Sequence, residues 1–271
     1  MSLRFVLRPA ALAVAIALAP ASAFAQAQAT QKPYEPTVGQ AGKDVVWVPT
    51  PQALVDKMLD MAKVTPQDFV IDLGSGDGRT VITAAKRGAK ATGIEYNPDM
   101  VALSIRNAKE AGLNGEAMFA KADLFETDLS KATVITMFLL PDINLKLRPK
   151  ILDLKPGTRI VSNSFTMGEW EADASESITE GCTSWCTAHF WIVPAKVEGA
   201  WQLPQGALTL KQEFQMISGT LGSTPITNGR LRGDEISFSV GNAKYVGKVN
   251  GSTMDGTVTG GSGGTWTAKK K

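Results

Sequence analysis

The stretch from Phe69 to Arg79, Phe-Val-Ile-Asp-Leu-Gly-Ser-Gly-Asp-Gly-Arg, constrains this chain more than any other. An apolar run of strand length ends in glycines at alternate positions, Gly74, Gly76 and Gly78, and a helix-forming sequence follows. Glycine enters positive φ without penalty and lets a ligand approach the main chain. Strand, tight turn and helix in that order are the opening unit of an open α/β sheet. Ligands of such sheets sit beyond the carboxyl ends of the strands.

From about Asp44 to Ala195 the chain keeps to this alternation. Strands are expected over 68–73, 91–95, 116–122, 132–138 and 158–164. Helices are expected after Thr50-Pro51 and Asn97-Pro98, both a cap followed by proline, and over 78–87 and 143–152. The first should bury Leu54, Met58, Met61 and Ala62 on one side. Two further strand-like runs, 175–181 and 187–193, flank Cys182-Thr-Ser-Trp-Cys186 and read as an antiparallel hairpin with the cysteines facing each other at its base. The expected fold over 44–197 is α/β: five parallel strands plus an antiparallel hairpin, an outline that resembles the Rossmann-like sheet of class I methyltransferases.

Past Gly199 the pattern changes. Turn pairs recur (Asn228-Gly229, Gly233-Asp234, Gly241-Asn242, Asn250-Gly251, Asp255-Gly256) with short alternating runs between them. This reads as a small all-β meander of about six strands over 198–271. Its Gly199-Ala-Trp201 start resembles that of lipocalin-like barrels.

The ligand follows from the residues around the turn. A dinucleotide fingerprint spaces its glycines G-x-G-x-x-G to seat a pyrophosphate. Here the spacing is G-x-G-x-G, and Asp72 and Asp77 would repel a pyrophosphate. S-adenosylmethionine has no phosphate and carries an amino group and a sulfonium, both cationic. Glu95 ends the second strand about 20 residues beyond Asp72, where an acid grips a ribose diol. Asp123 ends the third strand and, with Leu124, suits an adenine. The candidate cofactor residues are therefore Asp72, Gly74, Ser75, Gly76, Asp77, Gly78, Glu95, Tyr96, Asp123 and Leu124. No metal site is expected.

These motifs, with Val48-Pro49-Thr50-Pro51, Phe138-Leu139-Leu140-Pro141 and Leu147-Arg148-Pro149, resemble the ATP synthase c-subunit lysine methyltransferase family and its bacterial relatives. More distantly they are similar to the non-SET histone lysine methyltransferases. The resemblance covers roughly residues 46–195 and leaves out the β domain. It implies methyl transfer, with a protein lysine as a possible acceptor. Phe138 departs from the aromatic hydroxyl common at that point of the family motif.

Transfer from a sulfonium requires alignment and exclusion of water more than an acid–base pair. A lysine acceptor must be neutral, which an apolar channel favours. Phe138, Leu140 and Pro141 after the fourth strand are the candidate walls. Asn163 could face them, whereas Phe165 is expected in the core and His189 in a structural role. Two alternatives stand beside lysine transfer: a small-molecule methyltransferase whose β domain helps form the acceptor pocket, and an exported, non-catalytic protein that binds a nucleoside or a partner.

Residues 1–25 have the form of a secretory signal peptide: Arg4 and Arg8, an apolar run to Ala19, Pro20, then Ala23-Phe24-Ala25. The run is too short to span a bilayer, so no stable membrane insertion is expected after cleavage. A flexible lead-in is expected over 26–43, and a periplasmic location follows. Loss of Arg4 and Arg8 takes the formal charge from +2 to zero, which gives no net attraction for nucleic acid. In an oxidising compartment Cys182 and Cys186 should form a disulfide. The sequence leaves the oligomeric state open.

Overall fold

The computed structural model describes residues 1–2, 33–113, 115–261 and 263–271. The expected leader lies almost wholly outside the described residues, as does the lead-in up to residue 32.

The chain begins its fold with α1 (Gln52–Met61), then alternates β1 (Phe69–Leu73), α2 (Arg79–Lys86), β2 (Lys90–Glu95), α3 (Pro98–Glu110), β3 (Ala117–Lys121), β4 (Val134–Met137), α4 (Pro141–Leu152) and β5 (Arg159–Asn163). The hairpin follows as β6 (Ala174–Ser177) and β7 (Thr187–Ile192). The sheet has seven strands in the order β3-β2-β1-β4-β5-β7-β6. Pairings from β3 through β5 are parallel, and β7 is antiparallel to both β5 and β6. This is the expected α/β architecture. Its strand order reverses between β1 and β4, the point where such sheets open a crevice.

Successive strand residues serve opposite faces. Val70, Val134 and Val161 meet α1 and α2, through Leu54, Val55, Met58, Leu59, Val81 and Ala85. Ile71, Leu73, Ile135 and Met137 meet α4 through Ile143, Leu147 and Ile151. In α1 the buried set is Leu54, Val55, Met58 and Leu59; Met61 is only partly buried. Thr50 does not cap α1, because the N-cap position falls on Pro51. Asn97 caps α3 as expected, accepting a hydrogen bond from the Asp99 amide at 2.9 Å. Asp68, which is buried at the start of β1, takes Arg159 as its ion-pair partner and accepts from Thr133 Oγ1 at 2.7 Å.

The C-terminal part is all-β and a meander, as expected, but it has eight strands where about six were expected, and it closes. It is a closed barrel of eight strands: β8 (Gly199–Leu203), β9 (Gly206–Glu213), β10 (Met216–Leu221), β11 (Thr224–Arg232), β12 (Glu235–Val240), β13 (Ala243–Asn250), β14 (Thr253–Thr259) and β15 (Gly264–Lys270). Each strand pairs with the next, and β15 returns to β8 through Lys269–Gln202 and Lys270–Trp201. Alternation sends Trp201, Leu208, Leu231, Phe238, Tyr245, Met254 and Trp266 inward, so side chains fill the interior. Phe238 stacks on Tyr245 at 4.8 Å, and Trp266 meets both edge-on. Gly247 leaves room for that indole: a Cβ there would lie 2.8 Å from Trp266.

The barrel is fastened to the sheet at the end where the parallel strands begin. The Gly233 carbonyl accepts from Ala195 N at 2.8 Å, and Gly233 sits against Gly157, just before β5. Arg230 pairs with Asp173 at 2.6 Å, Gln215 Nε2 donates to Glu171 O at 2.8 Å, and Phe214 stacks on Trp170. The carboxyl ends of the strands lie at the opposite edge.

Candidate active site

The glycine turn after β1 is held from several sides. Gly74 and Ser75 both donate to Ile94 O, and Gly74, Gly76 and Gly78 take φ of 74°, 54° and 83°. Gly76 is required by more than its φ, since a Cβ would meet Trp47 Nε1 at 2.7 Å.

A cleft opens over this turn, at the ends of β1 to β4. Asp72, Glu95 and Asp123 all line it, with Gly74, Ser75, Gly76, Asp77, Tyr96 and Leu124. Gly78 does not: it is the N-cap of α2, packed against Phe119 and Ser104, because the turn has by then swung into the helix. Asp77 reaches the cleft, but its carboxylate is taken by the Arg79 guanidinium at 2.6 Å, which in turn donates to Thr50 O at 2.9 Å.

The three strand-end acids differ in what they already hold. Asp72 is buried and, among the described residues, accepts only from Thr136 Oγ1, at 2.6 Å, its register partner on β4. Burial pushes its pKa up to about 7; Thr136 opposes this, and Asp77 and Glu95 add to it. Glu95 accepts from Gly76 N at 3.0 Å and Asn97 N at 2.9 Å, which fixes its plane and leaves lone pairs free, as a carboxylate has about four. Asp123 accepts from Phe125 N at 2.9 Å and from Lys43 Nζ at 2.6 Å. The Lys43 bond, then the amide, hold its pKa below the usual carboxylate range.

Lys43 belongs to the segment expected as a flexible lead-in. Its last residues instead form a turn across the cleft. Gly39 N donates to Trp47 O at 2.8 Å, Trp47 N to Gln40 O at 2.9 Å, and Ala41 bridges Val46. Lys43 Nζ stands 4.7 Å from the Tyr96 ring centroid. Sequence reasoning missed Trp47 and Lys43; the neighbouring Val48-Pro49-Thr50-Pro51 motif was the available signal.

A second, apolar opening adjoins the cleft. Phe138 lines both, and so do residues of the same turn, Lys43 to Val46 among them. Leu140 lines the opening and is exposed. Pro141 lines neither cavity; it starts α4, where fixed φ and a missing N–H cost nothing. Asn163 is buried below, donating to Thr50 Oγ1 at 3.3 Å. Phe165, expected in the core, instead faces the opening beside Phe138 and Trp185. Trp185 lies between Cys182 and Cys186, which form the expected disulfide. That disulfide sits in the loop joining β6 to β7, at the tip of the hairpin and not at its base. Among the described residues, none from the barrel lines either cavity, which removes the expectation that the β domain helps form an acceptor pocket here. His189 lies outside both; its Nδ1 pairs with Ser175 Oγ at 2.8 Å, and burial lowers its pKa.

This geometry can be set beside known proteins. The family model for the ANTKMT methyltransferase domain matches residues 72–174. A protein-lysine N-methyltransferase of Saccharolobus islandicus is 44% identical over 140 residues, which is 51% of this chain and 87% of that one. The chain belongs to this protein-lysine methyltransferase family. It is an S-adenosylmethionine-dependent enzyme. Within the family, the ATP synthase c-subunit lysine N-methyltransferase of Mus musculus is 37% identical over 105 residues, 38% of this chain and 42% of that one. A solved structure, an RNA methyltransferase from Salinibacter ruber with S-adenosyl-L-homocysteine, is 46% identical with a TM-score of 0.52, and covers 55% of this chain and 96% of its own. The family match ends before the barrel.

The residues present fit the family's cofactor. Asp72 is a buried carboxylate with one hydrogen-bond partner among the described residues, suited to a cationic group, and Glu95 is oriented with free lone pairs. Asp72 would hold the amino acid end, Glu95 the ribose, and Asp123 with Leu124 the adenine.

Proposed function

We propose that this protein methylates the side-chain amine of a lysine in a protein substrate, at the apolar opening that adjoins the donor cleft, and that it does so in the periplasm after removal of residues 1–25. The observation that carries the first part is that Phe138 belongs to both cavities, so an acceptor lying along the opening would meet the donor cleft at that ring.

Bound S-adenosylmethionine supplies a methyl group on a sulfonium, open to in-line displacement. The remaining requirements fall to the protein. Holding a lysine neutral at pH 7 from a pKa near 10.4 costs about 4–5 kcal/mol in water. Phe138, Leu140 and Phe165 provide desolvating walls that lower that pKa and keep water from the reacting groups. The half-buried Phe138 ring fixes the direction of approach, which is the larger part of what such a transfer needs. The relatives are named for different acceptors, protein lysine and RNA. Lysine is preferred because the walls of the opening are apolar and Lys43, its one lysine among the described residues, is already paired with Asp123 and Asp44.

Incubating the protein with methyl-labelled donor and a cell extract should place label in protein bands that yield methyl-lysine on hydrolysis. Label confined to RNA or to small molecules rejects lysine transfer. For the location, cell fractionation should find the chain in the periplasm with its amino terminus at Gln26; an uncut cytoplasmic chain rejects export. The disulfide supports that reading, since such bonds persist in oxidising compartments.

A further inference from the structure

The loop between β6 and β7 is closed by the Cys182–Cys186 disulfide, whose Cα atoms lie 5.8 Å apart. Closing so short a loop removes little entropy from the unfolded chain, so global stability is a poor account of the bond. What the loop holds is Trp185, a residue kept at φ 58° with 45% of its surface exposed. Its ring centroid lies 5.2 Å from that of Phe165 and 6.0 Å from that of Phe138, and those two stack on each other at 6.0 Å. Three aromatic rings thus converge at one opening, the third brought there by a covalently closed loop.

We propose that Trp185 is the outer wall of the acceptor pocket, set in place by the Cys182–Cys186 loop, and that it selects an alkylammonium side chain. The proposal rests on lysine being the acceptor. Ring faces carry negative potential and attract a cation within about 6 Å of the centroid, most strongly for tryptophan. A methylated ammonium binds such faces while giving up little hydration, so this outer wall suits the methylated products and the incoming lysine, which arrives charged and sheds its proton only further in, beside Phe138 where the opening meets the donor cleft. Aromatic rings also stack on bases, but proteins that bind single strands this way add a positively charged groove that tracks the backbone. Lys43, the one basic residue at this opening among those described, is engaged by Asp123 and Asp44.

The test is a calorimetric titration of the full chain, saturated with S-adenosyl-L-homocysteine, with N-acetyl-Nε-trimethyl-lysine amide. Trp185→Ala should weaken the probe by about tenfold or more, and Trp185→Phe should recover most of the loss. Replacing both cysteines by serine should weaken it comparably, by releasing the loop. S-adenosyl-L-homocysteine should bind all four proteins alike, which shows that the fold is intact. Unchanged probe affinity in Trp185→Ala, no binding by the native chain at millimolar probe, or binding of uridine monophosphate in its place would each overturn the proposal. The two readings fail separately. Absence of methyl-lysine in the labelled extract sinks lysine transfer. Labelled lysine with a probe indifferent to Trp185 sinks only the role of this wall.

Discussion

The open sheet and the closed barrel are both built from twisted strands around apolar cores, yet they treat charge in opposite ways. The barrel core is apolar, tyrosine apart, and among the described residues the barrel buries no charged side chain; its buried Gln215 is neutral and donates to Glu171 O. The sheet buries Asp68 at the start of β1 and Asp72 at its end. The two burials differ in turn. Asp68 is compensated by Arg159, Thr133 and the Thr65 amide, whereas Asp72 has only Thr136 among the described residues. A charge buried without compensation opposes folding, and chemistry is found where such a cost is retained.

The sharpest way to break this contrast is Asp72→Asn. It should weaken S-adenosylmethionine binding by roughly 100-fold or more, as measured by calorimetry, because a charge-assisted bond in a dry site is lost. The same change should stabilise the free protein. The native pKa of about 7 lies above the unfolded value near 3.9, so the native state holds a proton that the unfolded chain has released. Stability therefore falls as pH rises between those values, and asparagine removes that loss. Thermal melts at pH 8 should show the variant more stable by about 1–3 kcal/mol. Donor affinity of the native protein should rise as pH passes through about 7, and a flat profile would mean that Asp72 is not the group that meets the cation.

The barrel offers the converse. Trp201→Ala removes a fully buried indole whose Nε1 donates to Val197 O at 2.7 Å, and should cost about 3–5 kcal/mol in denaturant unfolding. Affinity for S-adenosyl-L-homocysteine should stay within about twofold, since the barrel is fastened to the far edge of the sheet. A large loss of affinity would show the two regions to be coupled.

A smaller effect is expected at the compensated carboxylate. Burial alone would raise the pKa of Asp68, but Thr133, the Thr65 amide and Arg159 together hold it below the usual range. Its contribution is present above the unfolded pKa and is lost as pH falls through the depressed native value. Arg159→Ala should cost about 2–3 kcal/mol at neutral pH, and the gap to the native protein should narrow in acid melts. Smallest of all, Lys43→Ala should change donor affinity by less than about fivefold, with a salt dependence that vanishes in the variant, because the Lys43–Asp123 pair is partly exposed.

The same contrast explains what could be read from the chain alone. Asp72, Glu95 and Asp123 were legible because strand ends and glycine spacing place them locally. Trp47 and Lys43 were not, because only the fold of residues 39–47 back over Gly76 brings them to the cleft. Pro141 was misplaced for a local reason: proline at a helix start reads equally well as a loop wall. Trp185 was visible between its cysteines, but its partners Phe138 and Phe165 come from the ends of β4 and β5. In the barrel, register shifts between Ile217 and Thr220 and between Thr227 and Arg230 break the alternation on which strand counting depends.

The closure of β15 onto β8 has a kinetic consequence. In the sheet, most strands find a neighbour soon after they are made. The ring is complete only when its eighth strand meets its first, across the whole length of the barrel sequence. Contacts so distant along the chain form late and slowly. The barrel should therefore be the last part of the molecule to mature, clasping onto a catalytic half that is already assembled.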